Sequence, residues 1–368
     1  MKLLLLAGEE SGVLYADRIR AEFLKARPGA EIRGYGDYGF KTADLGVMGV
    51  GQVLKKIFYF LRVKRAMERA IDEWRPDVVC TVDYPGMNLK LAAYAKARGI
   101  RAVHVVCPQV WAWKQGRIPK IETSLDKLCC FFPFEPALFK PGFAAFVGHP
   151  LVDDLNTEAQ RHREEGVKTL AVLPGSRMGE IEKHMPILLE VVRELQKSPC
   201  LSASTLKVVI PAANERAYQA ISRHLEAFNL QSSIFNLVLQ RGGAREALRQ
   251  ADAAVVASGT ATLEAALAGC PTVLVYKVGW FFAFLARRFI KGVKHIGLAN
   301  IIAEKAGAPC PMPELLQENF TAANVLAQLK PWLENSEANE KARSALAETM
   351  KFLTSDGDSM AKITRFLI

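Results

Sequence analysis

Thr169-Leu170-Ala171-Val172-Leu173-Pro174-Gly175-Ser176-Arg177 is the stretch on which the reading of this chain turns. Residues 169–173 are mostly apolar and predict a buried strand. Pro174 and Gly175 end it, and a helix is expected from about Gly179. A strand that runs through a glycine turn into a helix is half of a βαβ unit, which builds parallel sheets.

The same rhythm repeats outward from that stretch. Downstream, residues 206–210, 236–239, 253–257 and 272–276 read as strands. Upstream, residues 3–7, 77–82, 102–107 and 127–132 do the same, with helices expected over 11–27 and 89–97. In the first of these helices Tyr15, Ile19 and Phe23 share one face at i, i+4, i+8. Between the two series the chain turns polar, around residues 156–166. The expected class is α/β. Two Rossmann-like domains, 1–166 and 167–318, carry parallel sheets facing a central cleft. A helical tail, 319–368, packs back toward the first domain. Ligands in such sheets bind at the carboxyl ends of the strands.

The bulk numbers fit two globular domains: 368 residues, 50% hydrophobic and 23% charged. Forty-eight Lys and Arg against 38 Asp and Glu leave a net charge of +10, which favours anionic partners. The longest apolar runs fall short of the roughly 20 residues of a membrane span. The opening Met1-Lys2-Leu3-Leu4-Leu5-Leu6 is cut off by Gly8, Glu9 and Glu10, too soon for a signal peptide. Seven cysteines without a CxxC pair read as buried thiols, with adjacent Cys129 and Cys130 in an apolar run. No DxD-type cluster stands out as a metal site, and no metal or cofactor is expected.

Two loops carry anion-binding character. In the first, Gly175 lets backbone approach a ligand, Ser176 and the following amides face a helix N-terminus, and Arg177 adds a forked cation suited to a diphosphate. The second is Ala257-Ser258-Gly259-Thr260-Ala261-Thr262-Leu263-Glu264. Its hydroxyls and amides again meet a helix start, and Glu264, one turn in, suits the hydroxyls of a ribose. Each loop alone also reads as a plain strand–helix turn, and Glu264 as a carboxylate answering the helix dipole. Two in one domain point to a nucleoside diphosphate. Neither is a Walker motif, and Gly8-Glu9-Glu10-Ser11-Gly12 is not GxGxxG, which argues against ATP hydrolysis and NAD chemistry.

The order of further segments resembles the lipid-A-disaccharide synthases, bacterial glycosyltransferases of the GT-B fold. The likeness is carried by Ala7–Gly12, Val47-Met48-Gly49, Asp83-Tyr84-Pro85-Gly86-Met87-Asn88, Pro108-Gln109-Val110-Trp111-Ala112-Trp113-Lys114, Pro133-Phe134-Glu135 and Val147-Gly148-His149-Pro150-Leu151. It continues through both anion loops to Leu298-Ala299-Asn300. The resemblance implies an inverting transfer. UDP-2,3-diacylglucosamine and 2,3-diacylglucosamine 1-phosphate give a β-1′,6-linked disaccharide and UDP. It places Ser176, Arg177, Ser258, Gly259, Thr260, Glu264 and Asn300 near the nucleotide, and Ser11, Asn88, Gln109 and Trp111 on the acceptor side. Three positions depart from the family pattern: Val13 and Gly86 stand where Asp is usual, and Cys107 where Ser is common.

Inverting transfer to a hydroxyl needs a base at that hydroxyl and charge stabilisation at the departing diphosphate. Asp83, at a strand end, and Glu9, in the first loop, are the candidate bases; Asp77 opens its strand and reads as structural. His149 reads equally as a turn residue or a ligand contact, and the tryptophans as core packing or pocket walls.

Two segments mix large apolar residues with cations: 53–65, with Leu54, Ile57, Phe58, Phe60 and Leu61, and 280–291, with Phe281 and Phe282. Both are expected to lie on an anionic membrane surface. The expected location is cytoplasmic, peripheral on the cytoplasmic face of the inner membrane. Nucleic acid is disfavoured because the basic residues sit among apolar clusters. A homodimer stays open. The rival readings are another GT-B enzyme acting on a lipid-linked sugar, a UDP-sugar 2-epimerase, or a non-catalytic UDP-sugar-binding protein. The epimerase needs neither a lipid acceptor nor a membrane surface.

Overall fold

Lys2-Leu3-Leu4-Leu5-Leu6-Ala7 shows why the sheets form. A strand buried on both faces reads as a continuous apolar run, because successive side chains point to opposite sides. The computed structural model describes residues 1–8, 10–41, 57–155, 166–198, 201, 205–229, 236–279 and 294–368. It divides into two units, Met1–Asp153 with Leu353–Ile368, and Asp154–Phe352.

The first unit holds β1 (Lys2–Ala7), β2 (Glu31–Arg33), β3 (Val78–Val82), β4 (Arg101–Val105), β5 (Lys127–Cys130) and β6 (Ala144–Phe146). The order is β2-β1-β3-β4-β5-β6, and each neighbouring pair is parallel. The helices are α1 (Glu10–Ala26), α2 (Ile57–Trp74), α3 (Pro85–Lys96), α4 (Ile118–Ser124) and α5 (Pro150–Leu155). Leu3 and Leu5 pack with Ile19 and Phe23 of α1 on one face. Leu4 and Leu6 pack with Met67, Ile71 and Leu91 on the other. Truncating Leu4 or Leu6 to Ala would cost roughly 2–5 kcal/mol through lost burial and the cavity left behind. Helix α3 starts four residues earlier than its apolar pattern suggests, at Pro85, since proline suits a first helical position.

The second unit holds β7 (Lys168–Leu173), β8 (Leu206–Ala212), β9 (Leu237–Arg241), β10 (Ala253–Ala257), β11 (Thr272–Tyr276) and β12 (Glu314–Leu316). Their order is β12-β11-β10-β7-β8-β9, again parallel throughout. The chain steps outward from β7 to β9 and then returns to lay β10 on the other side of β7. That reversal makes β7 and β10 the topological switch point, where open α/β sheets bind ligands. Its helices are α6 (Met178–Leu195), α7 (Glu215–Ala227), α8 (Ala244–Gln250), α9 (Thr260–Leu267), α10 (Leu298–Ala306), α11 (Ala322–Glu334) and α12 (Ser336–Met350).

The tail from residue 319 is divided between the units. Arg343 of α12 donates to the carbonyls of Gly269 at 2.7 Å and Ala251 at 3.0 Å, and Asn339 donates to that of Asp252 at 2.8 Å. These bonds tie α12 to the second sheet. Only α13 (Ser359–Leu367) joins the first unit, burying Met360, Ile363 and Leu367 against α1 and β4. Arg101 donates to the carbonyl of Phe366 at 2.9 Å and Ser355 to that of Val147 at 3.0 Å. The cysteine reading fits at Cys80, Cys107, Cys129, Cys130 and Cys270, all buried; Cys310 is exposed.

Candidate active site

Val256 of β10 is the register partner of Leu173 of β7. The two anion loops therefore leave neighbouring strands on the same sheet edge, at the switch point. Ser176, Arg177, Gly259 and Thr260 are exposed there, and Ser258 is half-buried. Gly175 has φ +114°, and a Cβ on it would lie 2.5 Å from Glu180 Oε2. Only glycine lets the turn close over Glu180 in this way. Glu180 accepts the Arg177 N–H at 3.4 Å and pairs with its guanidinium at 3.0 Å, which fixes the cation at the start of α6. On the second loop, Thr262 donates its hydroxyl to the carbonyl of Gly259 at 2.8 Å. Glu264 accepts Arg245 Nε–H at 3.2 Å, so α8 orients this carboxylate beside the loop.

His184 braces this edge from below. Its Nε2 accepts the N–H of Lys277 at 3.0 Å, so its proton resides on Nδ1 and is donated to the carbonyl of Pro174 at 2.7 Å. One ring thus links the end of β7 to the end of β11, with β10 between them. Burial holds the imidazole pKa below its ordinary value, which keeps it neutral. The sequence reading passed over His184. Its signal was a polar residue on the buried stripe of α6, beside Ile181, Met185 and Leu188.

Asn300, which the motif match places near the nucleotide, lies in the first turn of α10. It is fully buried, with both amide donors spent on the carbonyl of Met312 and on Glu314 Oε1, each at 2.8 Å. Its Oδ1 accepts the N–H of Met312 at 3.0 Å. Asn300 and Glu314 brace the turn before α10.

In the first unit, Asp83 and Tyr84 follow β3 with φ +51° each, a left-handed pair that costs energy outside glycine. Asn88 holds it in place. Its amide donates to the carbonyls of Leu6 at 3.2 Å, Val82 at 3.1 Å and Asp83 at 2.8 Å, and its Oδ1 accepts the Tyr35 hydroxyl at 2.8 Å. With no exposed surface and every amide donor used, Asn88 positions the Asp83 turn. Gly8 admits the ring of Tyr84, to which a Cβ would stand at 2.4 Å. Asp83 remains half-buried, and desolvation raises its pKa, opposed by the hydrogen bond from the N–H of Tyr84. Glu9 lies outside the described residues, as does the side chain of Ser11.

Gln109 is exposed beyond β4. Trp111 is buried, its indole N–H donating to Glu135 Oε1 at 3.0 Å and its ring edge-on to Phe134 at 5.7 Å. Trp111 therefore supports the loop from within. Glu135 also accepts the N–H of Phe132 at 3.1 Å, and burial pushes its pKa up to about 8. Cys107 and Cys130 adjoin it, their sulfurs and a carboxylate oxygen all within 4.8 Å of one another. Both thiols are pushed up, Cys107 by its hydrogen bond with Cys130 and Cys130 by burial against the lowering effect of that same bond. Protonated thiols and a protonated carboxyl form a neutral cluster at neutral pH. A metal would first have to displace those protons. His149 accepts the N–H of Leu151 at 3.2 Å and stacks obliquely on Phe131, a turn-forming role.

Helix α2 buries Val63, Met67, Ala70, Ile71 and Trp74 and leaves Phe58 83% exposed, with Ile57 and Leu61 exposed beside it. Phe60 is half-buried against the sheet. Leu54, Phe281 and Phe282 lie outside the described residues. Among the described residues, no helix is long and apolar enough to cross a membrane.

A family model described as Lipid-A-disaccharide synthetase matches residues 3–363. The chain belongs to the lipid-A-disaccharide synthase family. It is 34% identical to the lipid-A-disaccharide synthase of Syntrophus aciditrophicus over 345 residues, 89% of this chain and 88% of the relative. It is 35% identical to that of Chromohalobacter salexigens over 374 residues, 95% and 93% of the two chains. It is accordingly a UDP-sugar glycosyltransferase of lipid A biosynthesis, as the motif order implied. Among solved structures it is similar to a putative UDP-N-acetylglucosamine 2-epimerase from Listeria monocytogenes, with a TM-score of 0.66 at 14% identity, covering 99% and 94% of the two chains. The calicheamicin glycosyltransferase CalG4 follows at 0.55 and 16%, covering 100% and 98%. These likenesses show the GT-B fold alone, and the epimerase reading draws nothing further from them.

Proposed function

We propose that this family member joins UDP-2,3-diacylglucosamine to 2,3-diacylglucosamine 1-phosphate, releasing UDP and the β-1′,6-linked disaccharide 1-phosphate. The observation that carries the reading is the adjacency of the two anion loops at the switch point of the second unit, combined with family membership. The donor diphosphate is assigned to Arg177 and the N-termini of α6 and α9. Ser176, Ser258 and Thr260 supply hydroxyls, and Glu264 a carboxylate for the ribose. The acceptor is assigned to the first unit, with Asp83 as base.

In the transfer the acceptor 6-hydroxyl loses its proton to Asp83. Its oxygen forms a bond to the anomeric carbon, and the bond from that carbon to the diphosphate oxygen breaks, UDP leaving with the electron pair. The face of attack is opposite the leaving group, which inverts the anomeric configuration. Arg177 and the helix dipoles compensate the charge that grows on the diphosphate, so the proposed chemistry uses no metal. The exposed Ile57, Phe58 and Leu61, with nearby cations, support residence on an anionic membrane surface, where both acylated substrates would be held.

The test is an assay with acylated and non-acylated UDP-glucosamine donors, following UDP and disaccharide by mass spectrometry. Stoichiometric UDP and disaccharide from the acylated donor alone is the expected result. UDP-sugar binding without acceptor-dependent UDP release would replace the transferase by a binding protein.

A further inference from the structure

A cavity of about 300 Å³ opens between α3 and α4 in the first unit, beginning at Pro85 and Gly86. Its floor is apolar, with Leu89 and Ile121 buried at its base. Its rim carries Lys90, Arg117 and Lys120. Three cations share one small opening, and among the described residues no carboxylate lies within ion-pair distance of any of them. Their neighbours are paired: Lys96 with Asp126 at 3.3 Å, and Arg98 with Asp72. Unpaired like charges around one opening repel, and a multiply charged anion relieves that repulsion.

We propose that this groove is the subsite for the phosphate monoester of the acceptor, with its apolar floor taking the first carbons of an acyl chain. The inference rests on the proposed function and adds to it the residues that recognise the acceptor. Arg117 offers a planar fork that suits phosphate oxygens; Lys90 and Lys120 act as point charges. The position agrees with the chemistry. The lining starts two residues after Asp83, and Lys90 lies one further helical stretch away, about 7.5 Å along the axis from Pro85. A base at one end of this span and a cationic rim along it match a sugar whose reacting hydroxyl and phosphate stand at opposite ends. A bare inorganic anion would leave the apolar floor unused, and a bulk lipid headgroup would not need a pocket beside the base.

The experiment measures acceptor binding without turnover. Wild type and Arg117→Ala/Lys120→Ala are titrated in detergent micelles with 2,3-diacylglucosamine 1-phosphate and, separately, with its dephosphorylated form. The double variant should bind the phosphorylated acceptor at least tenfold more weakly, about the loss expected for one charged hydrogen bond. It should bind the dephosphorylated form as wild type does. Lys120→Arg should retain most of the affinity. UDP affinity and flotation with anionic vesicles should not change, which separates the subsite from a membrane contact. Unchanged binding of the phosphorylated acceptor overturns the proposal, and so does an equal loss for both forms or no acceptor binding by wild type. Acceptor binding with the predicted selectivity but no disaccharide would leave the subsite standing and remove the transferase reading instead.

Discussion

Trp111 and Glu135 meet through an indole N–H···carboxyl bond of 3.0 Å, with both residues buried. The bond ties the loop after β4 to the turn after β5. It does so through a carboxyl whose pKa burial pushes up to about 8, against an ordinary value of 4.5.

That shift has a definite sign. The native state holds the proton more tightly than the unfolded chain. The stabilisation linked to it is full below about pH 4.5, declines as pH rises, and is lost through about pH 8. Urea midpoints across this window should fall with pH more steeply for wild type than for Glu135→Gln, whose amide cannot ionise. Parallel midpoint curves would show that Glu135 does not govern this dependence.

Arg177→Ala should weaken UDP binding by roughly 1.5–3 kcal/mol, the worth of a lost charged hydrogen bond. Because Arg177 is 54% exposed on its side chain, the fold should tolerate the change. Unchanged UDP affinity by calorimetry would remove Arg177 from the diphosphate site.

His184→Ala acts on the same edge from behind. It leaves the carbonyl of Pro174 and the N–H of Lys277 without their shared partner, so UDP binding should weaken by about tenfold and thermal stability should fall. In wild type UDP affinity should stay flat from about pH 7 to 8, because burial holds the imidazole pKa below its ordinary 6.5 and the ring is neutral there. A lowered melting temperature with unchanged UDP affinity would leave His184 a packing residue only.

Features legible in the sequence were local ones. The run from Leu3 to Leu6 announced a doubly covered strand, and each anion loop sits within one strand–turn–helix unit. What stayed hidden depends on partners far apart in the chain. His184 meets Lys277 across 93 positions, and Asn88 meets Leu6 across 82. Motif position alone puts Asn300 near the nucleotide and Asn88 on the acceptor side. Once the fold forms, both amides are engaged by backbone and by one neighbouring side chain each, Glu314 for Asn300 and Tyr35 for Asn88. A polar side chain within a motif is as apt to shape the site as to touch the ligand, and only the completed hydrogen-bond inventory separates the two. The split of the tail has the same cause, since Arg343 finds its carbonyls in the distant turns after α8 and α9.

Asp83→Asn should leave UDP affinity intact and lower turnover by a factor on the order of 10² or more, as expected for loss of a base. Burial raises the carboxyl pKa, so activity should fall with acidification at a pH above the ordinary carboxylate value of 3.8. Only the ionised form accepts the proton, which sets the sign. Near-normal turnover by the Asn variant would pass the role to another group, with Glu9 next to be replaced.

The exposed face of α2 is apolar at Ile57, Phe58 and Leu61. Phe58 is 83% exposed, Ile57 44% and Leu61 43%, while the opposite face of the same helix is fully packed. Burying one such side chain in a lipid interface gains roughly 1.5–3 kcal/mol, and the attraction of anionic lipid for Arg62 and Arg65 adds to it. Phe58→Asp removes the largest apolar group and adds repulsion, without touching Val63, Met67 or Ile71 in the core. Flotation with anionic vesicles should drop at least tenfold for this variant. Melting temperature and turnover of substrates presented in detergent should hold. High salt should weaken wild-type flotation without abolishing it, because the apolar part of the contact is not screened. Equal flotation of Phe58→Asp and wild type would mean that this face serves some other contact.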